Sequence, residues 1–129
     1  MGEHLRTSAR LLLASIRLLN GSIALCLPGL ITRQLRAAPE EQPAAQYALR
    51  MFGIRTILLA IDLFRPAGPV RDRAIRMAPI IHATDTIAAT LAARSRTIPA
   101  GAGKGIITIS AINTLLSLVM QPPRRHRST

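Results

Sequence analysis

Four apolar stretches, each near the roughly 20 residues that carry a helix across a bilayer, constrain this chain more than any other feature. They run Leu11–Ile31, Ala44–Phe64, Ala74–Ala93 and Gly105–Met120. Between them lie "RAAPEEQP", "RPAGPVRDR" and "RSRTIPAGAGKG", and "QPPRRHRST" follows the last. Clusters of Pro and Gly mixed with charges are loop signals. No strand-like alternation and no long repeat appears. The pattern predicts a single all-α domain over residues 1–129, a four-helix transmembrane bundle. Its helices are expected over about 11–31, 44–64, 74–93 and 105–120, followed by a basic tail at 121–129.

Composition supports helices packed through small and aliphatic residues. The chain is 49% hydrophobic but only 2% aromatic, with no Trp. A soluble core of this size would normally bury several rings, because each covers a large area. The net charge of +11 points to an anionic membrane surface or to nucleic acid. A soluble basic helical bundle that binds nucleic acid is the alternative. It fits the charge but not "GIITISAINTLLSLVM", which is uncharged on every face where a surface helix should show a charged one. Single-strand binders also need aromatic stacking platforms, and rings are scarce here. No zinc, helix-turn-helix or RNP pattern is present. The expected partners are therefore the lipid bilayer and a membrane-protein partner or a second copy, and not nucleic acid.

The flanking cations predict an orientation. If all four stretches cross, Arg6, Arg10, Arg65, Arg71, Arg73, Arg76 and the tail arginines share one side. Arg33, Arg36, Arg94, Arg96 and Lys104 lie on the other. The heavier side is cytoplasmic by the positive-inside rule, so a multi-pass protein of the cell membrane with both termini in the cytoplasm is expected.

The charges inside the stretches need an account. "RMFGIRTILLAIDLF" carries Arg50, Arg55 and Asp62. A central Arg or Asp costs about 2.5 to 3.5 kcal/mol to insert, which several Leu and Ile offset once but hardly twice. Arg50 and Asp62 sit near the ends of their stretch and can reach an interface. Arg55 is left deep. Intramembrane charges normally face a bundle interior and pair with one another. The expectation is a polar seam of Arg17, Arg55, His82 and Asp85, with Asn20, Arg50 and Asp62 as secondary members. Arg55 is expected to be buried against Asp85, or against Asp62 two turns away.

Several motifs fail on inspection. "GAGKG" lacks the first Gly and the terminal Ser/Thr of a phosphate loop. Gly101 and Gly105 do have a G-x-x-x-G spacing, which can bring helices close, or they belong to a flexible loop. The N-terminus reads as an uncleaved anchor. The single Cys26 excludes an internal disulfide and reads as a small packed thiol. His82 and Asp85 in "HATDT" share a helix face. The other histidines, His4 and His126, are at the chain ends, so no metal site is expected. No nucleophile–base pair or cofactor fingerprint appears. No catalytic, cofactor-binding or metal residue is assigned, and no cofactor is expected.

With "LLNGSIALCLPGL", "RMFGIR" and the polar H-x-x-D of the third stretch in view, the layout resembles small membrane proteins of the DoxX/DoxD-like superfamily. Arg50, Gly53 and Arg55 would match that family's R-x-x-G-x-R. The resemblance implies a four-helix membrane fold and no reaction; some members are described as membrane partners of oxidoreductases. The function expected is an accessory or assembly protein without chemistry of its own. A small carrier or proton-conducting protein using the seam is the alternative. Arg makes a poor relay because it is effectively never deprotonated, which favours the first.

Overall fold

The computed structural model describes residues 2–123. These residues form five helices: α1 (Glu3–Cys26), α2 (Pro28–Gln34), α3 (Gln42–Phe64), α4 (Pro69–Arg94) and α5 (Ala100–Val119). The all-α expectation holds, and the four-helix bundle is corrected to five helices. The first apolar stretch is not one helix. Pro28 has no N–H, and its ring disfavours helical geometry at the residue before it. Leu27 accordingly leaves the helix at φ −129, ψ 47, and Pro28 opens α2 as its first residue. Prolines also stand in the first turns of α3 and α4, which begin earlier than the apolar count suggested. Helix α5 likewise starts at Ala100, so "AGAGKG" is its first turns rather than a loop. The tail from Arg124 lies outside the described residues.

A close backbone approach joins α1 to α3 at two glycines. A Cβ on Gly53 would stand 2.6 Å from the backbone nitrogen of Leu25 and 2.7 Å from the carbonyl oxygen of Gly21. A Cβ on Gly21 would stand 2.9 Å from the carbonyl oxygen of Gly53. The backbones touch here, as only small residues allow. Neither alternative for Gly101 and Gly105 holds: they are helical, and nothing lies within 4 Å of a Cβ at either. Gly103 between them packs instead, with a Cβ there 3.1 Å from that of Ala93.

Helix α4 passes through Pro79 without ending. Pro79 cannot donate to the carbonyl of Ile75 one turn earlier. Gln121, just past α5, donates its Nε2 to that oxygen at 2.7 Å, and so ties the end of α5 to α4. At the same end of the molecule Arg10 of α1 donates to the carbonyl of Leu63, in the last turn of α3, where free carbonyls attract cations.

The interior and the surface are composed unusually. Among the described residues, the buried hydrophobic side chains are six alanines with Leu13, Leu63 and Met120. Large side chains lie outside on every long helix, among them Leu12 and Leu19 on α1, Leu58 on α3, Ile80 and Leu91 on α4, and Leu115 on α5. Two helices, α1 and α5, are long and apolar enough to cross a membrane by length and composition.

The glycine contact yields a test. Gly53→Ala and Gly21→Ala force two backbones apart and should each destabilise by about 1 to 3 kcal/mol, the usual cost of overpacking. Gly101→Ala and Gly105→Ala meet open space and should be neutral or slightly stabilising, by up to about 1 kcal/mol. Thermal unfolding of detergent-solubilised protein separates the two pairs.

Candidate functional site

The buried face of α1 is Ala9, Leu13, Ala14, Arg17, Gly21 and Ala24, a stripe at three- and four-residue spacing. Arg17 occupies one position of that stripe and is only 5% exposed. Helix α4 buries Ala78, His82 and Ala89, and His82 is 2% exposed. Small neighbours on both stripes let these two long side chains meet. Arg17 Nη1 lies 2.5 Å from His82 Nε2. A guanidinium only donates, so Nε2 accepts and the imidazole is neutral, with its proton on Nδ1. That Nδ1–H faces Asp85 Oδ2 at 3.8 Å, beyond hydrogen-bond range. His82 Nδ1 and Arg17 Nε are both buried without a hydrogen-bond partner. Asp85 closes the row with a side chain 44% exposed.

Arg17 also lines a small, partly open gap of about 10 Å³, with Leu59, Leu63, Ala74, Ala78 and Ile81. That is the lower limit of room for one water. Helix α5 extends the polar interior. Thr86 and Thr114 hydroxyls are 3.1 Å apart across α4 and α5. Ser117 is fully buried and donates to the Thr114 carbonyl at 2.6 Å. Asn113 is buried with its Oδ1 unpaired. None of these α5 residues was singled out from the sequence, because "GIITISAINTLLSLVM" has no charge. Their signal is spacing: Ser110, Asn113, Thr114 and Ser117 fall at i, i+3, i+4 and i+7, one helix face.

The structure brings Arg17, His82 and Asp85 together and leaves Arg55 out. Arg55 is exposed and makes no ion pair or hydrogen bond among the described residues. The expected burial of Arg55 is therefore corrected. The reason lies in α3, whose buried stripe is Gly53, Thr56, Ala60 and Leu63. Arg55 is off that stripe by 100° from Thr56 and 200° from Gly53 at 100° per residue. Asp62 is no partner for Arg55 either, since it pairs with Arg65 Nε at 3.1 Å. Arg50 is exposed, and Asn20 is half-buried without a side-chain hydrogen bond among the described residues. Cys26, expected to be packed, is exposed. It borders an open concavity of about 310 Å³ with Leu27, Pro28, Gly29, Leu30, Arg33, Gln46 and Arg50.

No group of three His, Cys, Asp or Glu side chains converges among the described residues; His126 lies outside them. The site's chemistry is thus that of a donor-rich, buried cation held by a neutral imidazole, with a carboxylate at its open end. Comparison with family models, curated proteins and solved structures found no match to this chain.

A charge-assisted hydrogen bond is worth about 1.5 to 3 kcal/mol, and leaving one partner buried alone costs more. His82→Leu and Arg17→Leu should each destabilise strongly. The double variant should lose clearly less than the sum of the two. Asp85→Asn, half exposed and out of bonding range, should lose under about 1 kcal/mol. A double-mutant cycle by thermal unfolding reads all of these, and strict additivity of Arg17 with His82 would dismiss their pairing.

Proposed function

We propose that this chain is a small multi-pass integral membrane protein that serves as an assembly partner and carries no chemistry of its own. One observation carries the reading: alanine, glycine and polar side chains inside, large aliphatic side chains outside on every long helix. Soluble monomers rarely expose apolar patches beyond a few hundred Å². In lipid there is no hydrophobic penalty for an outward Leu, and small residues inside let helices approach. Helix α1, with 24 residues, spans roughly 36 Å, enough for a hydrocarbon core of about 30 Å. Helix α2, with 7 residues, rises only about 10 Å and lies at one face.

The assembly role rests on Arg55. It stands mid-way along α3 among exposed Met51, Phe52 and Leu58. A guanidinium in that position facing lipid is costly, and intramembrane charges are normally paired. A neighbouring chain that supplies an acidic group would remove the cost. The resemblance to DoxX/DoxD-like proteins, some of which are described as partners of oxidoreductases, agrees with such a role. The carrier or proton-conducting reading has less support, because the innermost member of the row, Arg17, does not release its proton.

Orientation belongs to the same proposal. The Arg10 bond to Leu63 and the Gln121 bond to Ile75 gather the ends of α1, α3, α4 and α5 at one pole. Arg6, Arg65, Arg71, Arg73 and Arg76 cluster there in sequence. That pole is the cytoplasmic one, with both termini inside. Membranes washed with alkaline carbonate should retain the protein, and release into the supernatant would refute integration. A cysteine introduced in the tail should react with a membrane-impermeant maleimide only after the cells are opened; labelling of intact cells would reverse the orientation.

A further inference from the structure

We propose that two copies of this chain pair within the membrane through reciprocal Arg55–Asp85 contacts. The inference rests on the membrane reading above and names the partner that reading calls for. Arg55 is nine residues from Phe64, the nearer end of α3, or about 14 Å along the helix, further than its side chain reaches. It cannot easily escape to an interface, and no described residue of its own chain pairs with it. Asp85 is the complementary charge left partly open. Its Oδ2 faces His82, and its side chain remains 44% exposed.

The two charges sit at one height. The small gap is lined by Leu59 and Leu63 of α3 and by Ala74, Ala78 and Ile81 of α4, and Leu59 and Ile81, the members furthest from the α3–α4 connection, bound it at about one height. Helices α3 and α4 run in opposite directions, joined by residues 65–68. Arg55 is four residues before Leu59, and Asp85 is four after Ile81. Each step is about 6 Å in the same direction, away from the α3–α4 connection. One cation and one anion at a common depth on neighbouring helices make a self-complementary patch. A two-fold axis along the membrane normal preserves depth and sets each Arg55 opposite the other copy's Asp85, giving two identical contacts. Exposed Ala88 and Thr84 beside Asp85 are small enough to admit the approaching helix.

The test uses the full chain in its membrane, with Cys26→Ser and one new cysteine. Leu58→Cys lies one turn from Arg55, and Leu19→Cys on the outer face of α1 is the control. Mild oxidation should cross-link Leu58→Cys into a dimer and leave Leu19→Cys largely monomeric. Adding Arg55→Glu should lower the cross-linked fraction at least about five-fold, Asp85→Asn should lower it in the same direction, and Arg55→Lys should preserve it. Differently tagged Arg55→Asp and Asp85→Arg chains should co-purify with each other, since one contact is then inverted and the other is the native Arg55–Asp85 pair, while each chain alone brings like charges together. Cross-linking indifferent to Arg55→Glu overturns the contact. A carbonate-resistant protein that stays monomeric overturns the dimer and leaves the membrane reading intact, whereas carbonate release removes the reading itself. Capture of Arg55 by an acidic residue of a different membrane protein, with no self-cross-link, overturns the choice of a second copy.

Discussion

Backbone contact between α1 and α3 at Gly21 and Gly53 is the constraint on which the remaining geometry depends. It brings two helix backbones into contact, with Ile57 and Leu25 packed directly over the two glycines. Ala14, Ala24 and Ala60 are fully buried. With small residues holding most of the inward positions, most of the large ones lie outward, Leu13 and Leu63 excepted. The exposed Leu and Ile of α1 and α3 are thus a consequence of the same contact. In water such a surface would be a liability; in lipid it costs nothing.

The second pair, α4 with α5, is held differently. Gly103 beside Ala93, the Thr86–Thr114 contact and Gln121 on the Ile75 carbonyl supply one close approach and two polar ties. Arg17 adds a polar link from α1 to this pair at mid-height, through His82, beside the apolar cluster that joins Ala9 and Leu13 to Ala78 and Met120. A buried cation bonded to a neutral ring is not a cheap way to hold helices, since desolvation opposes it. Its effect is to allow one register: sliding α1 by a turn would strand the guanidinium. We see the row as a register device, with Asp85 its only outward member.

How much of this was legible in the sequence depends on which signal was read. Helix number failed at Leu27, although Pro28 was in plain view. An apolar run was followed through a residue that cannot donate a backbone bond. Arg55 and Arg17 both sit in apolar runs, and hydropathy cannot tell them apart. The small residues can. Arg17 falls on the line Leu13, Gly21, Ala24, while Arg55 falls off the line Gly53, Thr56, Ala60. Reading Gly, Ala, Ser and Thr at helical spacing as the inward face would have selected Arg17, exposed Arg55 and found Ser110–Asn113–Ser117. His82 and Asp85 were legible because polar groups three apart in an apolar stretch have little else to do than meet something. The Arg17 partnership was not, since it joins residues 65 positions apart.

In the membrane arrangement proposed for this chain, the outward aliphatic faces touch lipid. Spin labels at Leu19, Ile80 and Leu115, one at a time in a Cys26→Ser background, test it most directly in reconstituted bilayers. Relaxation by molecular oxygen, which concentrates in hydrocarbon, is compared with relaxation by a water-soluble nickel chelate. The account predicts strong oxygen relaxation and almost none from the chelate at all three positions. Strong relaxation by the chelate at those positions would place these faces in water and contradict it.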